Sequence, residues 1–256
     1  MTYRVDVLKM GHLEVPGPEV YWMSHWEQWE TLTFYMVLIR GNGKTIIINT
    51  GLPSDLAALN TALGTFAGTR CRLFRTEEER PLNALEKIGV RPESVDHVLL
   101  TPLQSYATAN IPLFPRAEIC FSRRGWIEDI MARPSFVHSP RQMCIPDDVL
   151  KYLLFQAWER VSLIEDECEV CPGIHAWWSG GHHRSSMVYS IEAAAGLVMV
   201  GDCAFKYGNL TRHPLGIAES LAECNVAYRR IQQNAAHFIP LYDPDVLVRY
   251  PSGEIK

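Results

Sequence analysis

The sequence predicts an α/β fold in which two β-sheets lie face to face and helices cover them on the outside. Each half of the chain passes through apolar, β-rich segments and then through polar turns that lead into helical segments. A sheet that is apolar on one face buries that face against a second layer, so two such halves favour two packed sheets. The polar turns are expected to converge at one edge of the sandwich.

The bulk composition limits the class of protein. With 256 residues, of which 47% are hydrophobic, the chain can bury one large core, and we expect a single domain over residues 1–256. The net charge of −5 gives no general attraction to phosphate backbones, so nucleic acid is not an expected partner. No apolar run approaches the roughly 20 residues that span a bilayer, and the first residues lack a signal-peptide pattern. We therefore expect a cytoplasmic protein that binds no membrane, with its seven cysteines reduced.

The first half opens with three predicted strands. Their residues alternate or are continuously apolar, and the turn Gly-Asn-Gly at 41–43 favours a hairpin between the second and the third. The predicted strands cover residues 3–9, 34–40 and 44–49. A helix is predicted over residues 81–88, because this segment follows an acidic run and ends at Gly89.

Residues 95–110 have the arrangement of a loop that carries reactive residues, which is a buried strand followed by a polar turn. A strand predicted over residues 95–100 leads into the polar turn 101–110, TPLQSYATAN, which holds no His, Asp, Glu or Cys. A further strand is expected over residues 117–122 and a helix over 124–131. Residues 133–150 are rich in proline and are expected to be irregular.

The second half repeats this order of elements. Its predicted strands cover residues 160–164, 174–178, 187–191, 196–200 and 238–240. The turn SGGHHRSS stands at 179–186, and a helical pattern covers 214–233. Cys168 and Cys171 lack a second pair of that spacing to complete a zinc site, so we interpret them as part of a turn. Cys203 is interpreted as a small buried residue rather than a nucleophile.

Six segments, in this order and at ordinary spacings, carry a family resemblance. They are IIINTGL at 46–52, IGVRPESVDHVLLT at 88–101, PLFPRAEICFSRR at 112–124, PGIHAWWSGGHHRSSMVYSI at 172–191, LVMVGDCAFKYGNL at 197–210 and IPLYDPDVLVRYP at 239–251. Together they resemble the metallo-β-lactamase superfamily and, within it, the N-acyl homoserine lactonases. The resemblance implies an αββα sandwich of two mixed sheets with its site at one edge.

The same resemblance implies a metal-dependent hydrolase, but the metal motif has changed. The family's chemistry uses two zinc or similar ions, held by imidazoles and carboxylates, that activate a bridging water. Four of these ligands come from the motif H-x-H-x-D-H, which follows a strand. In this chain the four ligand positions are occupied by Pro102, Gln104, Tyr106 and Ala107.

Other positions of the family motifs differ as well. Tyr242 replaces a further ligand, so that only His182 and Asp202 remain at ligand positions. Asn49 replaces the aspartate that orients the metal loop, and Phe205 replaces the tyrosine that handles the substrate in the lactonases. One imidazole and one carboxylate do not hold a dinuclear centre, so we predict neither a family-type metal site nor a metal cofactor.

The polar residues that remain predict a small-molecule pocket. The candidates for acid/base catalysis are His182, Asp202, Tyr106 and Tyr242. The candidates for substrate binding are Gln104, Asn110, His183, Arg184 and Phe205. In this interpretation Asp202 orients the His182 imidazole for metal-independent attack on a lactone, an ester or a similar activated ring. In the alternative, His182 and Asp202 are a hydrogen-bonded remnant, and the two tyrosines fill the former metal cavity.

Three classes of function stay open at this point: a metal-independent hydrolase, a non-catalytic pseudoenzyme that binds a small molecule, and a protein that binds a partner protein. The aromatic segment VYWMSHWEQWE bears on the choice, because a helix there would place Trp22, Trp26 and Trp29 on one face. Such a face would pack on the core, cover the pocket as a lid or form a contact in a homodimer.

Overall fold

The computed structural model describes residues 2–131 and 141–256. Within these ranges, a first sheet consists of β1 (Arg4–Pro16), β2 (Trp29–Gly41), β3 (Lys44–Ile48), β4 (His97–Leu99), β5 (Glu118–Ser122) and β6 (Val161–Ile164), in that spatial order. The first three strands are antiparallel neighbours, as the hairpin turn predicts, and β3 to β6 are parallel.

The second sheet follows in the chain. It consists of β7 (Glu167–Cys171), β8 (Ile174–Trp178), β9 (Met187–Ala193), β10 (Gly196–Gly201) and β11 (His237–Pro240). The spatial order is β11-β10-β9-β8-β7, and its neighbours are antiparallel except for the parallel pair β10 and β11. Two mixed sheets with helices confirm the predicted αββα sandwich.

The helices fill the connections between strands. They are α1 (Gly17–Val20), α2 (Ala57–Ala67), α3 (Pro81–Lys87), α4 (Ser105–Thr108), α5 (Arg123–Gly125), α6 (Asp147–Phe155), α7 (Tyr207–Thr211), α8 (Leu221–Asn234) and α9 (Asp245–Arg249). A π-helical turn, Trp126–Met131, continues α5. In the described ranges, every helix is too short or too polar to cross a bilayer.

Some helices differ from the prediction. Helix α8 begins later than residue 214, because the Ser220 side chain accepts a hydrogen bond from the Glu223 amide and caps the helix there. The sequence patterns missed α2, and α6 begins at Asp147, inside the segment 133–150 that was expected to be irregular. Part of that segment, up to residue 140, lies outside the described residues.

Two further expectations about local structure are wrong. Cys168 and Cys171 lie on β7 and not in a turn, because this segment pairs with β8. The tryptophan-rich segment does not form a helix, since Met23 and His25 have φ of 51° and 57°, values that interrupt a right-handed helix.

The three tryptophans consequently have different environments. Trp22 and Trp26 are 44% and 66% exposed, whereas Trp29 begins β2 and packs partly buried against the core. The rings therefore do not share one helical face. Trp29 fits the expectation of core packing, and Trp22 and Trp26 remain available at the surface.

Parallel strand pairs bring the polar turns to one edge, as predicted. Strands β3 and β4 pair in parallel through Ile48 and Leu99, so the turns that follow them start side by side. In the second sheet, Gly201 and Pro240 end a parallel pair in the same way. Polar groups that cannot lie on the apolar strands thus gather beyond the strand ends, where ligands commonly bind in sheets of this kind.

The close contact between Gly216 and Pro18 can be tested by substitution. A Cβ on Gly216 would fall on the carbonyl oxygen of Pro18, whereas a Cβ on Gly64, inside α2, would meet nothing within 4 Å. We expect Gly216→Ala to lower the free energy of unfolding by about 1–3 kcal/mol through overpacking. Gly64→Ala is expected to raise it by about 0.5–1 kcal/mol, because glycine disfavours a helix. Urea unfolding measures both variants, and equal effects would contradict the assigned contact.

Candidate functional site

The loop that follows β4 is anchored by Asn49. The Asn49 side-chain amide donates to the Thr101 carbonyl oxygen at 2.8 Å, and its Oδ1 accepts from the Thr101 amide at 2.9 Å. The amide and hydroxyl of Thr50 both donate to the carbonyl oxygen of Ala107, at 2.7 and 2.8 Å. An ionised aspartate at position 49 could not donate the first of these bonds. Asparagine therefore suits a loop that is held by hydrogen bonds at both ends.

Asp202 is a fully buried carboxylate just beyond β10. Its two oxygens accept hydrogen bonds from Thr101 Oγ1 at 2.6 Å and from Ser186 Oγ at 2.7 Å. Thr101 Oγ1 also accepts from the Met187 amide at 2.8 Å. Burial raises the pKa of Asp202 to about 6, although the two hydroxyl groups act in the opposite direction. Each oxygen of this carboxylate thus accepts one hydroxyl hydrogen bond.

His182 lies in the glycine-rich turn after β8. Its Nδ1 is 3.2 Å from the carbonyl oxygen of Ile217, which can only accept, so Nδ1 carries the proton and Nε2 carries a lone pair. Nε2 is buried and makes no hydrogen bond to any described residue. Burial lowers the pKa of His182 well below its usual value, and the neighbouring His183 adds to this effect. The imidazole is therefore neutral at neutral pH.

The structure does not join His182 to Asp202. The imidazole is bonded to Ile217 and the carboxylate to Thr101 and Ser186. This corrects both interpretations of the pair, because Asp202 neither orients the imidazole nor bridges to it as a remnant. The reason is local, because the hydroxyl groups of Thr101 and Ser186 donate hydrogen bonds to the carboxylate.

Four aromatic side chains fill the space beside His182. Ring centroids lie 5.2 Å apart for Phe34 and Tyr106, 5.5 Å for Phe34 and Tyr242, and 5.9 Å for Tyr106 and Tyr242. Phe205 lies 4.7 Å from Tyr242 and 4.7 Å from His182. All four rings are buried. Packed rings therefore replace the open polar cavity that was expected, as in the alternative in which the tyrosines fill it.

Polar atoms remain unpaired within this packing. In the described part of the chain, Gln104 Oε1, Ser105 Oγ and His182 Nε2 are buried without a hydrogen-bond partner, and the buried Tyr242 hydroxyl has the phenol of Tyr106 as its neighbour. Such groups are unusual, because each unmade bond costs about 1–3 kcal/mol. We call the set of Gln104, Ser105, Tyr106, His182, Phe205 and Tyr242 the edge site. Burial raises the pKa of Tyr106 and Tyr242, so both phenols stay protonated at neutral pH.

Two predicted substrate-binding residues bond elsewhere. The Asn110 side-chain amide donates to the carbonyl oxygens of residues 50–52, at 2.9–3.1 Å, and thereby braces the turn after β3. Arg184 donates to Glu128 at 2.9 Å and to Glu223 at 2.6 Å. Because their donors are used in these contacts, the structure corrects the expectation that both face the pocket.

His183 adjoins the edge site but differs chemically from His182. The two ring centroids are 4.0 Å apart, and His183 Nδ1 lies 3.3 Å from Glu219 Oε1. Burial lowers the pKa of His183, but the hydrogen bond to Glu219 and nearby carboxylates raise it, and the net direction is upward. His183 is therefore the more basic of the two imidazoles.

Some groups near the edge site were missed by sequence reasoning. Lys206 and Glu30 form a mostly buried ion pair at 2.6 Å, and their positions in the chain give no signal of this contact. The hydroxyls of Thr101 and Ser186 were missed too, since Ser and Thr are common in any turn. Cys203 is buried, and burial raises the pKa of its thiol well above the usual value, which agrees with a packing role.

The edge site does not fit a dinuclear zinc centre of the family type. Zinc in proteins is held by thiolate, imidazole and carboxylate groups. At the family's ligand positions, Pro102 and Ala107 offer no side-chain donor, the phenols of Tyr106 and Tyr242 stay protonated, and Asp202 supplies a single carboxylate. His182 Nε2 and the amide oxygen of Gln104 are free, but together they cannot complete two coordination spheres.

Comparisons with known proteins agree with this architecture. No protein-family model matches the chain. A structure of an N-acyl homoserine lactone hydrolase, with N-hexanoyl-L-homoserine bound at its catalytic metal centre, superposes with a TM-score of 0.75 at 16% identity, covering 97% of this chain and 96% of that one. A hydrolase of the β-lactamase superfamily, AbOPH, superposes with a TM-score of 0.64 at 16% identity, covering 94% and 89%. This chain has the metallo-β-lactamase fold.

The sequence comparison points to the same subgroup of metallo-β-lactamase-fold proteins. An N-acyl homoserine lactonase of Bacillus cereus is 25% identical over 171 residues, which cover 66% of this chain. The match spans 62% of the length of that lactonase. The sequence and structural neighbours of this metallo-β-lactamase-fold chain are thus lactonases and related hydrolases.

The hydroxyl that bridges Asp202 and Met187 provides a test of the site. Thr101→Val removes this hydroxyl but keeps the shape of the side chain, so Asp202 and the Met187 amide each lose a partner. We expect the free energy of unfolding to fall by about 1–3 kcal/mol. Thr101→Ser keeps the hydroxyl and is expected to lose only about 0.8 kcal/mol for the missing methyl group. Urea unfolding that shows equal losses would contradict the network.

The pKa of Asp202 predicts a pH dependence. Its folded-state value of about 6 exceeds the ordinary 3.8, so the folded protein holds this proton more tightly than the unfolded chain does. The contribution of Asp202 to stability therefore declines as the pH rises from about 4 to about 6, by about 3 kcal/mol, and is constant above that range. Asp202→Asn should remove this decline. Unfolding free energies measured with EDTA across this range test the expectation, and parallel profiles for both proteins would contradict it.

Proposed function

We propose that this metallo-β-lactamase-fold protein binds a small acyl-lactone-like molecule at the edge site, without a dinuclear metal centre of the family type. The observation that carries the proposal is the group of buried, unpaired polar atoms beside a wall of aromatic rings. Small-molecule sites are commonly apolar with a few polar groups that orient the ligand. The protein is thus proposed to be a binding relative of the lactonases.

The polar atoms define the chemistry of the ligand. His182 Nε2 and Gln104 Oε1 are acceptors, and the Tyr242 hydroxyl can donate, so together they match an N–H or O–H group next to a carbonyl. The rings of Phe34, Tyr106 and Phe205 match an apolar chain or ring. An N-acyl homoserine lactone combines an amide, a lactone carbonyl and an acyl chain. The solved relative that holds N-hexanoyl-L-homoserine supports this ligand class by analogy of fold.

The absence of a family-type metal centre is part of the proposal. Its support is the donor set, because Pro102 and Ala107 offer no side-chain donor and the phenols of Tyr106 and Tyr242 are protonated. The rings are buried, so a ligand enters only when they rotate away from one another. Part of the binding energy is then used to open the site, and this lowers the apparent affinity.

A second candidate function is metal-independent hydrolysis. It is favoured by the lone pair of His182 Nε2, which could take a proton from an attacking water. Two observations weigh against it. The low pKa of His182 makes it a weak base, and Asp202 does not orient it. Binding without turnover therefore ranks first.

The cellular setting and the partners are also proposals. The net charge of −5 supports a protein that does not bind nucleic acid. Free thiols at all seven cysteines support a cytoplasmic location, where disulfides are rare. The exposed rings of Trp22 and Trp26 support a contact with a second copy of the chain or with a partner protein.

Ligand binding can be tested at Tyr242. We expect N-hexanoyl-L-homoserine lactone to bind in calorimetry with EDTA present. Tyr242→Phe should weaken the binding roughly three- to tenfold, because it removes one hydrogen bond and keeps the ring. Tyr250→Phe is the matched control, since its hydroxyl bonds to His237 outside the edge site. No binding, or equal loss in both variants, would overturn the proposal.

Hydrolysis is separated from binding in the same samples. If the protein only binds, the lactone ring stays closed in the presence of the wild type, as followed by chromatography. Metal-independent turnover that persists with EDTA and disappears in His182→Gln would instead establish the second candidate. Turnover that requires added zinc and disappears with EDTA would reject the metal-independent reading of the edge site.

A further inference from the structure

A second polar site lies at the opposite end of the strands from the edge site. Thr101 follows the end of β4, whereas His97 begins that strand. An open cavity of about 600 Å³ is found there, with His97 and Glu118 in its wall. Lys44 and Arg160 contribute to the same wall. The edge site and the proposed function make no use of these residues.

Three side chains of different chemistry meet beside this cavity. His97 and Glu118 are register partners on the parallel strands β4 and β5, and Cys120 follows Glu118 by two residues. Since side chains alternate along a strand, all three lie on the same face of the sheet. One imidazole nitrogen, one carboxylate oxygen and the Cys120 sulfur lie within 4.8 Å of one another.

The imidazole of His97 is not satisfied by protein groups. Its side chain is 10% exposed, and the buried Nδ1 makes no hydrogen bond to a described residue. Glu118 Oε2 lies 3.5 Å from Nδ1 without the geometry of a hydrogen bond. Burial lowers the pKa of His97, so the ring is neutral and keeps a lone pair for a ligand. A buried nitrogen without a partner at a cavity wall is an independent sign of a bound group.

Two of the basic side chains in the wall, Lys44 and Arg160, are engaged elsewhere, whereas Arg116 in the same wall has no ion pair with a described residue. Lys44 pairs with Asp96 at 3.5 Å, and Arg160 donates to the Ala117 carbonyl oxygen at 2.6 Å and to the Tyr152 hydroxyl at 2.7 Å. Within the described ranges, Glu118 forms no ion pair with a lysine or an arginine, and His97 is its partner. The carboxylate thus retains its negative charge for a cation.

We propose that His97, Glu118 and Cys120 bind a divalent cation of the zinc type, with an open coordination position towards the cavity. Zinc prefers a nitrogen, sulfur and oxygen set of this kind, at about 2.0–2.3 Å from the ligand atoms. Ligand atoms that already lie within 4.8 Å need only small side-chain rotations to close around such an ion. Water from the cavity supplies the remaining ligand.

Binding changes the protonation of one group. Cys120 is buried, and burial raises the pKa of its thiol, so the free protein carries S–H there. When the cation binds, the S–H bond breaks, a bond from sulfur to the metal forms, and the proton leaves to solvent through the cavity. No oxidation or reduction takes place. The bound ion would link β4 to β5 and satisfy His97 Nδ1.

The proposal is tested with zinc and cobalt on the full chain. Zinc affinity is measured by competition with a chromophoric chelator, and cobalt reports a sulfur ligand through a near-ultraviolet charge-transfer band. We expect one tightly bound zinc per chain, with affinity at least tenfold weaker in His97→Gln and Glu118→Gln. Cys120→Ser should abolish the cobalt band. Cys71→Ser is the matched control, since it replaces another buried cysteine outside this cluster.

The outcomes separate this site from the edge site. His182→Gln should retain the zinc, whereas loss of zinc in that variant alone would overturn the proposal and restore a metal to the edge site. Glu118→Gln is informative even if Cys120→Ser fails to fold, because the Glu118 side chain is 48% exposed. Absence of tight zinc binding, or affinity unchanged in all three variants, would also overturn the proposal. Lactone binding with EDTA present tests the proposed function independently of these results.

Discussion

The buried carboxylate of Asp202 is the constraint on which the edge of the sandwich depends. It stands at the end of a central strand of the second sheet and accepts hydroxyl bonds from Thr101, which follows the first sheet, and from Ser186. A buried carboxylate is stable only if its oxygens are satisfied, so these turns are held together across the two sheets. Hydroxyl groups of the protein meet this electrostatic need.

Removal of metal ligands would leave a cavity, and the aromatic rings supply the missing volume. Phe34, Tyr106, Phe205 and Tyr242 pack edge to face or tilted, which restores close contact where ions and water would otherwise lie. The rings do not satisfy every polar atom beside them, because His182 Nε2 and Gln104 Oε1 have no hydrogen-bond partner among the described residues. These unsatisfied polar atoms are the feature on which the proposed binding site rests.

Sequence patterns predicted most of the strands but not β7, and they predicted the contacts of the site poorly. The buried run KTIII and the turn Gly-Asn-Gly determine strand and hairpin locally, so β2 and β3 could be predicted from a few adjacent residues. The helix considered for the segment with Trp22 and Trp26 does not form, because left-handed φ values at Met23 and His25 are decided by packing and not by helical spacing. The contacts of Asn110 and Arg184 were not predicted, for a related reason. Their positions near the site were foreseen, but their bonding partners lie far away in the chain.

Local sequence patterns were enough to predict the sandwich, the edge at which its turns converge and the residue types that stand at that edge. Each of these follows from local periodicity or from which side chains stand in a motif. The folded structure was needed to show that Asp202 bonds to Thr101 and Ser186 rather than to His182. It was also needed to show that Cys120 lies beside His97, since the two residues belong to separate segments of the sequence. The physical reason is that hydrogen bonds and ligand geometry depend on distances of a few ångströms between residues far apart in sequence.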